Sequence, residues 1–323
     1  MKQYRIEKDK GIKSMDYSKF LVLHINNYFS DDMRELGIKV RWIHKNDHCS
    51  IRKWNIAKLL GLEKSLLGFT RDDVIKAEYI LICNHMYIPN IIGIIHEWNP
   101  LCKIVWFLWD AADDVTLKYI QEIKCMRNVK IYSYDKRDSE KYNILWHNSA
   151  TKKYATNNFN ITENVWDFGC VMLDRGRIPV LKKIQEFIES SGFSYKFIVK
   201  KEKHKKYDIY SNIEFINDSM PYSDVIKYDL MFKCIVDILF EKNTGLSLRA
   251  YESIFYNKKL LTTNEDIRNY DFYNPNNIFI LTDYNMHEIS EFMRKPYVKI
   301  AEEIQKKYQY EYWLEDLFKG EFI

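Results

Sequence analysis

The sequence predicts an α/β protein of two domains in series, each built on a mainly parallel sheet. Three observations lead there. Short apolar runs of strand length alternate with helix-length segments along the chain. The 323 residues exceed one ordinary domain of about 150 residues. Near the middle, the stretch Thr151 to Glu163 is rich in Asn, Thr and Lys, lacks apolar periodicity, and reads as a linker.

In the first half, Phe20 to His24, Tyr79 to Cys83, Lys103 to Leu108 and Val129 to Tyr134 read as strands, being short and rich in Ile, Val, Leu and aromatic residues. Ile51 to Leu60 and Val115 to Cys125 repeat apolar residues every three or four positions and read as helices. A new cycle opens near Val165 to Phe168. It continues through a helix at Arg177 to Ser191, strands at Tyr195 to Val199 and Met231 to Phe240, a helix at Arg249 to Tyr256, and strands at Lys259 to Thr263 and Asn277 to Leu281. Pro296 to Phe318 reads as a closing helix, with Tyr297, Tyr308, Tyr312 and Trp313 opposite a charged side, able to pack back on the first domain. The expected division is 1–160 with 297–323 returning to it, and 161–296.

Composition narrows the class. A hydrophobic fraction of 46% with 24 Tyr and 18 Phe suits a folded chain rather than a disordered one. Every apolar run is far shorter than the roughly 20 residues of a membrane span, and Met1 to Lys13 is too charged for a secretory signal, so a cytoplasmic protein is expected. The cysteines at 49, 83, 102, 125, 170 and 234 form no CxxC pair and read as thiols rather than metal ligands or disulfides. A net charge of +4 from 49 basic and 45 acidic residues, with scattered aromatics, does not describe a nucleic-acid-binding surface. The basic run Lys200 to Lys206 is either a solvated loop or a peripheral contact to the anionic inner membrane.

Chemistry gathers at strand ends. After the strand containing Gly169, Asp174-Arg-Gly-Arg177 precedes a helix. This turn suits a diphosphate, held by helix amides with Arg175 and Arg177 adding charge, and equally an ordinary turn with solvated arginines. In the second candidate, a polar loop with Thr244 and Gly245 leads to Ser247, a candidate N-cap for the helix carrying Arg249 and Glu252. The next strand ends at Asn264, and in an open parallel sheet all these polar residues share the carboxyl rim where ligands bind. In the first half Asp110, within Trp109-Asp-Ala-Ala-Asp-Asp114, is the candidate general base, whereas Asp113 and Asp114 suit helix capping. His85 is a second candidate base, or a structural histidine.

Gly245-Leu-Ser-Leu-Arg-Ala-Tyr-Glu252, followed by Asn257-Lys-Lys-Leu-Leu-Thr-Thr-Asn264, resembles the donor-binding signature of GT-B glycosyltransferases. Tyr132-Ser-Tyr-Asp-Lys-Arg-Asp138 is similar to a segment of bacterial lipopolysaccharide and capsule glycosyltransferases. The resemblance implies two Rossmann-like domains facing a cleft. It also implies a nucleotide-diphosphate sugar held by the second domain, and a saccharide or lipid-linked saccharide acceptor against the first. Glu252 would then accept hydrogen bonds from the donor ribose, and Thr244 to Leu248 would offer amides to its phosphates. The glutamate that many retaining members carry upstream is replaced here by the Asn243-Thr-Gly245 region. No DxD motif stands at the expected donor phosphates, so neither an obligatory metal nor another cofactor is expected.

Overall fold

The computed structural model describes residues 15–24, 28–45, 49–83, 90–159, 164–203, 205–207, 212–240 and 245–322. Two six-stranded sheets, parallel throughout, organise the chain. The first contains β1 (Phe20–Leu23), β2 (Lys39–Arg41), β3 (Tyr79–Cys83), β4 (Lys103–Leu108), β5 (Val129–Ser133) and β6 (Leu145–Trp146), in the order β2-β1-β3-β4-β5-β6. Its helices are α1 (Tyr28–Glu35), α2 (Ile51–Leu59), α3 (Arg71–Ile75), α4 (Ile91–Trp98), α5 (Asp114–Ile123) and α6 (Lys136–Tyr142). Helices cover both faces, so central strands have no solvated side and read as unbroken apolar runs. Alternate residues of β1, β3 and β4 serve the two faces. Leu21, Ile80 and Trp106 pack with α4 and α5, whereas Phe20, Leu81 and Phe107 pack with α1.

The second sheet contains β7 (Trp166–Leu173), β8 (Tyr195–Lys200), β9 (Ile213–Ile216), β10 (Phe232–Asp237), β11 (Lys259–Thr262) and β12 (Ile278–Ile280), ordered β12-β11-β10-β7-β8-β9. Numbered from its own first strand this is the dinucleotide-fold order 3-2-1-4-5-6, whose switch point falls between β7 and β10. Around it lie α7 (Ile178–Ser190), α8 (Tyr222–Met231), α9 (Leu248–Phe255) and α10 (Ile289–Arg294). Met231, expected to open the strand, instead ends α8, and β10 stops at Asp237.

The closing segment differs from one continuous helix. It forms α11 (Glu302–Lys306) and α12 (Tyr310–Phe318), separated at Gln309, whose backbone is extended. The break has a long-range cause: the Thr151 amide donates to the Tyr308 carbonyl at 3.1 Å, so the two stretches that join the sheets pair with each other. Ile300 and Tyr308 belong to the core of the second sheet, and α12 makes the return. Trp313, fully buried, donates its indole N–H to the Asn148 carbonyl at 2.8 Å, and Phe318 meets Phe20 edge-on at 5.3 Å.

Candidate functional site

At the switch point the carboxyl end of β7 turns through Asp174-Arg175-Gly176 into α7, with Arg175 and Gly176 at φ of 41° and 81°. Asp174 is completely buried, accepts from Lys205 Nζ at 2.6 Å and Tyr207 Oη at 2.7 Å, and caps the Gly176 amide. Burial alone would raise its pKa, but these hydrogen bonds bring it below the usual carboxylate value. The basic run is therefore partly turned inward: Lys205 serves Asp174, and Lys200 donates to Ser219 Oγ at 2.6 Å.

Arg177 does not reach out as an anion clamp. Its guanidinium donates to the carbonyls of Leu173, Ile238 and Asp174 at 2.5, 3.1 and 3.2 Å, bracing the end of β7 against the end of β10. Burial, and then the neighbouring Arg249 charge, lower its pKa to about 10. Arg175 is exposed, with its guanidinium over the Phe240 ring. Gly169 lies inside β7 rather than in a phosphate loop. A Cβ there would fall about 2.1 Å from the Phe232 ring, so this glycine is required for packing.

The second candidate segment does converge. Ser247 stands at the N-cap of α9, yet its hydroxyl donates to Asp237 Oδ1 at 2.8 Å instead of capping the helix. Asp237, which ends β10, also accepts from Thr262 and lies 3.7 Å from Arg249 Nη1. Arg249 further donates to the Val171 carbonyl. Its burial disfavours the charge, but the carboxylates of Asp237, Glu252 and Asp229 outweigh that and raise its pKa. Asn264 accepts from the Asp266 amide at 3.0 Å and donates to the Gly245 carbonyl at 3.4 Å. Gly245 packs tightly against the first half, since a Cβ there would fall 2.2 Å from the Tyr134 ring.

Glu252 is 2% exposed and accepts from the Tyr222 hydroxyl, which also bonds Thr151 at 3.1 Å. Asp229 lies against it with 1% exposure. Burial pushes Asp229 well above the carboxylate range and the Glu252 charge adds to it, while burial raises Glu252 as well. Each carboxyl therefore keeps its proton to a higher pH than it would in water. Arg249 and Glu252 line a cavity of about 490 Å³ with Lys200, Leu173, Tyr222 and, from the first half, Tyr28. Tyr28 stacks on Tyr222 with ring centroids 4.4 Å apart. Gly245, Ser247 and Asn264 build the adjoining rim without lining this space. A larger cavity, about 1130 Å³, lies at the amino ends of β7, β10 and β11. Its Lys258 and Lys259 already donate to backbone carbonyls, and Lys295 pairs with Glu291 at 3.3 Å. The carboxyl-end cavity is the better candidate because it lies at the carboxyl ends of the strands beside the switch point, where open parallel sheets bind ligands.

In the first half Asp110 follows β4 and is half-buried, and it does not line the cavity. Its charge, after those of Glu252 and Asp32, adds to the burial that raises the pKa of Tyr28, a residue that lines the cavity. Asp113 caps α5, accepting from the Thr116 amide at 2.8 Å. His85 and Thr244 lie outside the described residues. Among the described residues no group of three or more His, Cys, Asp and Glu side chains is arranged to hold a metal ion. Tyr28, Tyr222, Asp229 and Asp237 were not singled out from sequence, and Lys200 was read only as part of the basic run Lys200 to Lys206. An acid ending the apolar run of β10 was the one local signal.

No protein-family model and no curated protein sequence matches the chain. Solved structures do. HepE of Anabaena, in complex with UDP and glucose, superposes with a TM-score of 0.52 at 8% identity, covering 85% of this chain and 80% of its own. The N-terminal domain of Candida albicans trehalose-6-phosphate phosphatase superposes with a TM-score of 0.52 at 9% identity, covering 96% and 98%. With two parallel sheets and a returning C-terminal helix already described, the chain has the GT-B fold. At such identities the likeness is one of fold alone. Within it, the candidate cavity lies on the second Rossmann-like unit and is roofed by Tyr28 of the first. Among the described residues no helix is long and apolar enough to cross a membrane.

Proposed function

We propose that the chain is a glycosyltransferase that moves a sugar from a nucleoside diphosphate to a saccharide hydroxyl. The observation that carries this reading is the cavity of about 490 Å³ beside the switch point, where Arg249, Lys200 and Glu252 meet under Tyr28. A diphosphate there is stabilised by the guanidinium, the ammonium and the amino end of α9 as charge builds on the leaving group. Glu252 accepts from the ribose once the Tyr222 hydroxyl yields its oxygen, and Asp110 of the first half takes the proton of the acceptor hydroxyl. The chain's own residues supply binding, orientation and electrostatics, with no metal in the scheme. The Ser133-Tyr-Asp135 segment supports bacterial surface polysaccharide or lipopolysaccharide as the product class, with the enzyme working in the cytoplasm.

Titration calorimetry with uridine, guanosine and thymidine diphosphates tests the site. At least one is expected to bind, and Arg249→Ala or Lys200→Ala to weaken it by roughly tenfold or more, as for loss of a charge-assisted contact. Equal affinity in both variants would sink the assignment. One observation favours a second reading, a nucleotide-binding partner subunit without chemistry. Glu252 already holds the Tyr222 hydroxyl and Asp229. Nucleotide binding without transfer or donor hydrolysis, across a broad panel, would select that alternative.

A further inference from the structure

Between β2 and α3 the chain makes an excursion that carries α2. Its base is clasped: His44 bridges Leu67 antiparallel, Lys45 N–H donates to the Leu66 carbonyl at 3.0 Å, and Gly68 N–H to the Ile43 carbonyl at 2.9 Å. Gly68 permits this closure, because a Cβ would fall 2.5 Å from the Trp42 carbonyl oxygen. One side of α2 is anchored by Trp54, which is 1% exposed and lies 5.9 Å from the His44 ring. The other side holds Ile56, Leu59 and Leu60 at helical i, i+3, i+4 spacing. These residues are 51%, 86% and 64% exposed.

The tip does not owe that exposure to slack backbone. Gly61 takes φ of +67° at the end of α2, with Gly61 N–H donating to the Lys58 carbonyl at 3.1 Å and Leu62 N–H to the Ala57 carbonyl at 2.7 Å. This Schellman closure holds Leu62, itself 55% exposed, beside the other aliphatics. Arg52, Lys53 and Lys58 flank them, with Lys64 paired to Glu97 at 2.6 Å, and Glu63 is the single acid between residues 49 and 66.

Exposed aliphatic side chains grouped on one firm projection mark a contact surface. Composition identifies the occupant. Protein interfaces are enriched in aromatic residues and depleted of Lys, whereas this tip has bare Ile and Leu ringed mostly by Lys. Aliphatic side chains that enter the acyl boundary while cations meet lipid phosphates are the chemistry of interfacial binding. We infer that the α2 tip docks the protein onto an anionic lipid surface, with Ile56, Leu59, Leu60 and Leu62 inserted and Arg52, Lys53 and Lys58 on the headgroups. This contact stands apart from the inward-turned Lys200 and Lys205, and it does not depend on the donor reading.

Flotation with vesicles tests it, using phosphatidylcholine alone and an equal mixture of phosphatidylcholine and phosphatidylglycerol. The full chain is expected to float with the mixed vesicles and much less with the neutral ones. The double variant Leu59→Asp, Leu60→Asp changes only exposed positions. It is expected to keep the wild-type Tm while losing on the order of tenfold or more in vesicle partitioning. Lys53→Glu with Lys58→Glu should abolish the preference for the anionic mixture. The proposal falls if the wild type stays unbound, or if the aspartate variant binds as well as wild type. It also falls if light scattering shows a wild-type dimer that the aspartates convert to monomer, because the tip would then be a self-association surface.

Discussion

Asp229 and Glu252 face each other with almost no water around either, and that pairing gives stability a pH dependence. Both folded-state pKa values are raised, so the native chain keeps a proton that the unfolded chain releases above about pH 4. Stability therefore falls as pH rises through the window between the unfolded and folded values. Asp32, pushed up to about 6 by burial despite hydrogen bonds from Tyr154, acts with the same sign. Asp73 and Asp316, held at about 2 by Lys39 and His147 among others, work oppositely. Their contribution is present above about pH 4 and is lost as pH falls toward 2. His44 and His96, held below the usual histidine value by burial, act with the opposite sign in wild type and variant alike, so the expected result is that Asp229→Asn gains Tm relative to wild type as pH rises from about 5 to about 7.5. A variant curve parallel to wild type would remove this account. These carboxyls also show where sequence reading stops. Glu252 was readable as a polar residue on a ligand rim, but its partners Tyr222 and Asp229 come from another helix. Likewise Arg177 was readable as a cation beside a turn. The direction of its guanidinium was not, because the Ile238 carbonyl that receives it lies 61 residues away.

Elements whose cause is local were readable, and those with a distant cause were not. The central strands announce themselves because burial on both faces requires unbroken Ile, Val and Phe runs. The start of α5 was equally local: an Asp before an amphipathic run caps the free amides of the first turn. In the structure Asp113 accepts from both the amide and the hydroxyl of Thr116, at 2.8 and 2.6 Å. Asp113→Ala should cost about 1 kcal/mol in chemical denaturation, whereas Asp113→Asn should cost far less, since Asn caps as well. Equal losses in the two variants would mean the charge, rather than the cap, is what matters. The division of the closing segment at Gln309 had no such local mark. It follows from the pairing of Thr151 with Tyr308, far away in sequence.

At the scale of the whole molecule, the readable part was the repetition of strand and helix on either side of a polar break. The relation between the two halves depends on where one late helix lands. Trp313 of α12 is fully buried against Phe107 at 4.9 Å and Trp109 at 5.9 Å, and Phe29 meets Trp109 edge-on at 4.4 Å. These rings close one face of the first sheet beneath α1, the helix whose first residue, Tyr28, roofs the candidate cavity. The last helix thus completes the core of the first half and supports a wall of the cleft. Trp313→Ala removes that side chain and leaves a cavity, a change that costs about 3–5 kcal/mol in buried positions. The cost should fall unevenly, since β7 and β10 share none of these contacts. Hydrogen exchange of the variant should show lost protection for amides of β1, β3 and β4 and near-native protection for β7 and β10. Nucleotide affinity should drop less than in Arg249→Ala, because Tyr28 contributes one face while the cations remain. Uniform loss of protection across both sheets would show instead that the halves unfold as one cooperative unit, and the helix would then be stabilising the whole molecule rather than the domain it covers.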